Sequence, residues 1–385
     1  MSRMQSIPSS RRRKAILYVA VYDPHVPLTG GGTRGLALVG QLAEHLDVDL
    51  VYMEGSGYAP DPDLAGRFAD RLPHVRAKVR VPFSTTGYFV FSQTLYAEAA
   101  HFLRTHTYDY ILCDYGLSAA YGLLLSRRFG VPLIYSSHNL EYRIYLDKAR
   151  RDKRRLLLLP YVYLVERLAV QRASILVAIT KKDAEIYARW RGTSDILVIP
   201  QGVDTAVFHP FYDPPRNDPK EILFVGNYNN QFNREVVAVV KERIVDRVCA
   251  RYPSVRFRFV GANPPRDLAH PNFVFTGFVD DYPAQLKAAD VMISPLLQGQ
   301  GAPTKIIEAL ACGKPIIATP VGARSVERDY ASLTICDLEA FPEKIVEVLV
   351  ADQPVTAKDF ETIKSRYAWS VTVQRLVERI QNGSM

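Results

Sequence analysis

Cysteine is scarce. Cys113, Cys249, Cys312 and Cys336 are spread through 385 residues, with no CxxC pair and no Cys/His cluster. That scatter argues against a disulfide framework and a zinc site, and fits the reduced thiols of a cytoplasmic protein. Long apolar runs are missing as well: none approaches the ~18 residues that would span a bilayer. The Ser- and Arg-rich stretch Met1 to Lys14 runs straight into ILYVAVY without a small-residue cleavage site. It reads as a disordered tail feeding a first strand rather than as a secretory leader. Basic residues interleaved with aromatics, the footprint of a nucleic-acid surface, are absent despite a formal net charge of +8.

Much of the positive excess sits in Arg11 to Lys14 and in KARRDKRR, Lys148 to Arg155. A basic surface of this kind attracts phosphate-rich partners. The second cluster precedes LLLLPYVYL (156–164), which carries the expectation of peripheral contact with the inner face of a membrane. The competing reading is a solvated helix face over buried leucines.

Short apolar, β-rich runs alternate with helix-like stretches, and the alternation occurs twice. In the first half the strands are read at 16–22, 48–53, 110–114, 132–137, 175–180 and 196–200. Helices are read at Thr33–His45, Gln93–Thr105, Ala119–Phe129, Leu156–Arg172 and Lys181–Arg189. The Pro- and Asp-rich DTAVFHPFYDPPRNDP (204–219) has no periodicity and is the linker candidate. Strands then return at 221–226, 255–261, 272–277, 291–295, 315–319 and 333–337. The helices between and after them are read at Arg234–Arg251, Ala284–Ala289, Pro303–Cys312, Leu338–Val350 and Ser370–Gln381. Buried strands with helical crossovers indicate parallel doubly wound sheets. The pattern therefore predicts two Rossmann-like domains facing across a cleft, at 1–205 and 206–369, with a final helix in 370–385 packing back on the first.

Three segments carry candidate chemistry. TGGGTRG (29–35) follows the first strand and opens a helix, where glycine lets backbone approach a ligand and free N–H groups favour an anion. Its spacing is not that of the dinucleotide fingerprint. SSHNLEYR (136–143) follows a buried strand: His138 is placed to donate to a sugar hydroxyl, and Glu141 to orient it or bind an acceptor. SPLLQGQGAPTKIIEALACGKPIIATPVGA (294–323) runs from a strand through a Gly-containing loop into a helix with Pro303 at its start and Lys305 and Glu308 on one face. Loop N–H groups, a helix dipole and a Lys suit a diphosphate, and a carboxylate one turn on suits ribose hydroxyls. A plain tight turn, a structural histidine and an ordinary capped helix are the respective alternatives.

EALACGKPIIAT (308–319) resembles the donor-binding core of glycosyltransferase family 4, the retaining GT-B enzymes. The glycine loop, SSHNLE, PQGVD (200–204), LFVGNYN (223–229) and VFTGFVDDYPAQLKAADVMISP (274–295) agree in order. The resemblance covers nearly the whole chain and is most specific in its C-terminal half. It is nearest to members that build bacterial surface polysaccharides or glycolipids. It implies a metal-independent glycosyltransferase whose N-terminal domain binds the acceptor and whose C-terminal domain binds the nucleotide sugar, a UDP-sugar before a GDP-sugar, with no other cofactor. The acceptor is a glycan, a glycolipid or a small molecule.

By that resemblance Gly31 and Gly32 lie against the donor phosphates and His138 contacts the transferred sugar. Glu308 holds the ribose, with Gly301, Ala302 and Lys305 beside it. Arg34 and Glu141 are assigned to the acceptor. Asp280 and Asp281 read as a helix start rather than a metal motif. Two positions depart from the family pattern. Gln300 stands where a second carboxylate is usual, and Asn227 where an Arg is usual, leaving Arg234 or Lys305 to supply charge. A phosphorolytic enzyme, a sugar-nucleotide epimerase or a non-catalytic nucleotide-sugar-binding partner are the alternatives that this pattern leaves open.

Overall fold

The computed structural model describes residues 12–25, 30–54, 72–86, 90–149, 153–210, 218–299, 303–327, 329–351 and 357–383. The chain divides into two compact units. One contains the residues up to Ile199 together with those from Val373, and the other spans Pro200–Thr372.

The first unit is built on a seven-stranded sheet of order β3-β2-β1-β4-β5-β6-β7, parallel throughout. Its strands are β1 (Ala15–Ala20), β2 (Asp47–Met53), β3 (Ala77–Val81), β4 (Tyr110–Asp114), β5 (Leu133–Ser136), β6 (Ile175–Ala178) and β7 (Leu197–Val198). The helices between them are α1 (Gly30–His45), α2 (Gln93–Thr105), α3 (Ala119–Phe129), α4 (Glu141–Ala149), α5 (Leu159–Arg172) and α6 (Lys181–Arg191). Every residue of β1, β4, β5 and β6 is buried. This is why those strands read as continuous apolar runs and not as an alternation. Each Leu, Ile or Val so buried contributes about 1.5–3 kcal/mol over its exposed state.

The second unit repeats the plan with six parallel strands in the order β10-β9-β8-β11-β12-β13. They are β8 (Glu221–Val225), β9 (Arg256–Val260), β10 (Phe273–Gly277), β11 (Val291–Ser294), β12 (Ile316–Ala318) and β13 (Leu333–Ile335). Its helices are α7 (Gln231–Arg243), α8 (Val245–Cys249), α9 (Tyr282–Ala288), α10 (Thr304–Ala311), α11 (Phe341–Ala351) and α12 (Ala357–Tyr367). Side-chain caps fix the helix starts: Asn230 Oδ1 accepts from Phe232 N–H at 3.0 Å, and Asp281 Oδ1 from Ala284 N–H at 2.9 Å. The last helix, α13 (Trp369–Asn382), begins in the second unit and passes into the first after Thr372.

Gly261 marks a backbone position in the second unit that admits only glycine. Gly261, directly after β9, has φ +133°, and a Cβ there would overlap the carbonyl of Gly226 after β8. The loops leaving two neighbouring strands are thereby drawn together. In both sheets the strand order reverses between two central strands, β1 and β4 in the first, β8 and β11 in the second. Doubly wound folds place ligands at the carboxyl ends of such pairs.

Candidate functional site

At the switch point of the first sheet, Asp114 ends β4 and is fully buried. Its Oδ2 accepts from His138 Nε2 at 2.7 Å and from the hydroxyl of Tyr22, which lies two residues past β1. Arg34 approaches from α1, 1% exposed, with its Nη1 donating to the Ile199 carbonyl at 3.2 Å. Burial alone would raise the Asp114 pKa. The His138, Arg34 and Tyr22 groups outweigh it and hold the carboxyl down at about 2. Burial lowers the Arg34 pKa against the opposing pull of Asp114, and burial with Asp114 raises that of Tyr22.

Gly35 makes this possible, since a Cβ there would overlap the Tyr22 hydroxyl. Gly31 and Gly32, expected in a loop before the helix, instead lie in the first turn of α1, which opens at Gly30. Glycine is a poor helix former, and the apolar period begins only later. The sequence therefore placed the start at Thr33.

His138 was expected to donate to a sugar. Its Nε2 already faces the Asp114 carboxylate, so Nδ1 is the ring nitrogen left for a ligand. Arg34 and Glu141, expected at an acceptor, are both 1% exposed and form part of the interior. The reason for Glu141 is steric and local. It is the first residue of α4, and its Cγ lies against Gly116, where a Cβ would overlap it.

The N–H groups of Glu141 and Tyr142 both donate to the Glu166 carboxylate at 3.0 Å, and Tyr187 Oη donates to it at 2.8 Å. Glu166 thus caps α4 from the middle of α5. Burial still pushes its pKa up to about 7. Asp114, Tyr22 and Glu166 escaped the sequence reading. The one legible signal was an acid closing the apolar run YILCD.

At the switch point of the second sheet, Lys305 and Glu308 share a face of α10 one turn apart. Lys305 is half-buried. Its ammonium folds onto the Val225 carbonyl at the end of β8 and lies 5.5 Å above the Phe224 ring. Burial lowers the Lys305 pKa to about 8, opposed by Glu308. Burial raises that of Glu308 to about 7, opposed by Lys305 and Tyr282. Pro303, expected in the first helical position, sits just before it, with ψ 108°.

Asn227 shapes the turn after β8. Its Oδ1 accepts from Asn229 N–H at 3.0 Å, and its carbonyl accepts from Asn233 Nδ2 at 2.8 Å. Arg234 is ion-paired with Asp267 on an exposed face rather than turned to the Lys305 side chain. Arg324, which sequence reasoning passed over, lies beside Gly299 and donates to the Val321 carbonyl at 2.5 Å. Gln300, Gly301 and Ala302 lie outside the described residues. Among the described residues, no three His, Cys, Asp or Glu side chains gather as a metal site would require.

The leucines after the basic cluster are not buried as a set. Leu157 is 83% exposed and Leu164 55%, with Leu156 and Tyr163 also open to solvent. Lys153 is exposed beside them, while residues 150–152 of the cluster lie outside the described residues. No helix among the described residues is long and apolar enough to cross a membrane.

Residues 28–207 match the family model described as Glycosyltransferase Family 4, and residues 219–351 the one described as Glycosyl transferases group 1. A phosphatidyl-myo-inositol mannosyltransferase of Mycolicibacterium smegmatis is 27% identical over 225 residues, 52% of this chain and 57% of that protein. The matched stretch is thus little more than half the relative's length. A D-inositol 3-phosphate glycosyltransferase of the same organism is 26% identical over 312 residues, 74% of this chain and 69% of its own. Among solved structures, a sucrose-phosphate synthase from Thermosynechococcus elongatus superposes with a TM-score of 0.70 at 19% identity, covering 96% of this chain and 99% of that one. Anabaena HepE in complex with UDP and glucose gives 0.67 at 14%, covering 96% and 100%. At these identities the structural matches speak for the fold.

Proposed function

Because the chain belongs to the GT-B glycosyltransferases resembling family 4, we propose that it moves a sugar, with retention of configuration, from a nucleotide diphosphate sugar to a glycan or lipid-linked acceptor. The observation that carries this reading is the Lys305–Glu308 pair at the carboxyl end of the second sheet. A cation in the first turn of a helix suits a diphosphate, and the carboxylate one turn on suits a ribose diol. A UDP-sugar is the favoured donor, in keeping with the UDP-bound neighbour.

As the donor bond breaks, charge collects on the leaving diphosphate, and a fixed ammonium stabilises it without reorganising. His138 orients the sugar and does not attack it. Gln300 joins His138 as a catalytic residue in this proposal, and Gly301 and Ala302 belong to its donor side, as do Gly31, Gly32 and Asn227. The reaction needs no metal in this reading.

Two experiments test it. Lys305→Ala should weaken UDP binding by about 1.5–3 kcal/mol, the worth of a hydrogen bond to a charged group; equal affinity by calorimetry would sink the site. Retention is read directly by NMR of the new anomeric bond. An inverted product overturns that part alone.

A lipid-linked acceptor is favoured by the mannosyltransferase relative, named for phosphatidyl-myo-inositol. The exposed Leu157 and Leu164 beside basic residues suit docking on an anionic leaflet, where each basic residue adds about 1 kcal/mol. The protein should sediment with phosphatidylserine vesicles at low salt and be released at high salt. Leu157→Asp combined with Leu164→Asp should abolish sedimentation; equal sedimentation of variant and parent removes the membrane from the account.

A further inference from the structure

Asp114 is reached by donors from three separate segments: Tyr22 after β1, His138 after β5 and, through charge, Arg34 in α1. A carboxylate this deeply buried is tolerated because it is paired and hydrogen-bonded. Being ionised, it can only accept. The imidazole nitrogen that faces it at 2.7 Å must therefore carry the proton.

Tyr22 and Tyr115 flank the ring, at 6.0 and 5.6 Å between centroids. Turning the ring over would bring carbon to the carboxylate and cost it a charge-assisted bond. Tautomer and orientation of His138 are thus set by one group that cannot itself touch a ligand, since Asp114 is 0% exposed.

We infer that Asp114 is a positioning residue for the transfer reaction, locking His138 in the Nε2–H tautomer so that Nδ1 is presented as an acceptor for a hydroxyl of the bound sugar. This rests on the reading of His138 as a sugar contact. Arg34 and Tyr22 act one step further back. They keep the carboxylate charged, and Gly35 leaves the space in which Tyr22 reaches it.

The test uses the full chain labelled with ¹⁵N-histidine, with His138 assigned by its loss in His138→Gln. The ring nitrogen shifts of the parent should show the Nε2–H form. Asp114→Asn removes the charge and brings an amide N–H that can donate to Nε2, so the shifts should move toward the Nδ1–H form. Nucleotide release from UDP-glucose or GDP-mannose should fall at least about tenfold, the lower end of the loss when the group orienting a metal-bound imidazole is removed. UDP affinity should change less than turnover, because Asp114 is 0% exposed and touches no ligand.

An Nδ1–H form in the parent overturns the inference, and that measurement decides alone if Asp114→Asn does not fold. Parental turnover in Asp114→Asn, beside a loss in His138→Ala, overturns it too while sparing the His138 reading. Parental turnover in His138→Ala fails the reading beneath it.

Discussion

The two switch points are built on one plan and finished differently. In the first unit two carboxylates gather the polar groups around them: Asp114 holds His138 and Tyr22 through Oδ2 while its buried Oδ1 takes no hydrogen bond among the described residues, and Glu166 holds two backbone N–H groups and Tyr187. In the second, Lys305 rests on a neutral carbonyl and an aromatic face, with its charged neighbour Glu308 driven toward neutrality by burial. Side-chain bonds of this kind fix geometry in advance. A half-satisfied cation–carboxylate pair gains most when a charged ligand arrives. In the proposed reading the contrast separates an orienting site from a binding one.

The largest effect expected lies outside either site. Gly261→Ala should cost more than about 3 kcal/mol, because a strained φ is added to an overlap with the Gly226 carbonyl. Thermal unfolding should show the second unit weakened and the first unchanged. A single shared loss would break the view of the units as separate.

Glu166→Ala should cost about 3 kcal/mol, since the N–H groups of Glu141 and Tyr142 lose their acceptor in the interior. Denaturant titration checks this, and a loss under about 1 kcal/mol would mean that Glu166 does not hold the start of α4.

The third expectation sharpens the binding side. Glu308 should ionise near pH 7 and Lys305 lose its charge near pH 8, both shifted by burial. UDP affinity should therefore rise as pH climbs through about 7 and fall beyond about 8, a bell belonging to the pair rather than to either residue. The sign for folding is opposite on the Glu308 limb. Its pKa is raised above the unfolded value, so its contribution to stability is full at acid pH and is lost as pH rises through about 7. Calorimetry across pH 6–9 that shows flat UDP affinity would remove the pair from the site. The smallest effect is at Arg234. Its pair with Asp267 is exposed, so Arg234→Ala should change stability by under about 0.5 kcal/mol, as chemical denaturation will show.

Much of the fold was legible because buried parallel strands announce themselves. Gln93–Thr105 and Ala119–Phe129 read as helices over the same bounds the structure gives them, and the Asp281 cap was visible from its place before Tyr282. Ala77–Val81 was missed because AKVRV is an edge strand with exposed polar positions and no apolar run. Helices Glu141–Ala149 and Ala357–Tyr367 were missed for a related reason: their charged residues hide the apolar stripe. Among candidate residues, sequence spacing brought Lys305 and Glu308 onto one face, since one helix turn decides it. It could not find Asp114 as the partner of His138. That contact joins the ends of two strands 24 residues apart and depends on their being neighbours in the sheet.

The scattered cysteines give the molecule its own pair of clocks. Cys113 on β4 and Cys312 after α10 are both 0% exposed, one in each unit, and burial pushes the Cys312 thiol up to about 12 and the Cys113 thiol higher still. Thiolate is the reactive form, so neither should take up an alkylating reagent until its own unit opens. Following the two labelled peptides over time by mass spectrometry would report the opening of each half separately, without adding a probe to either.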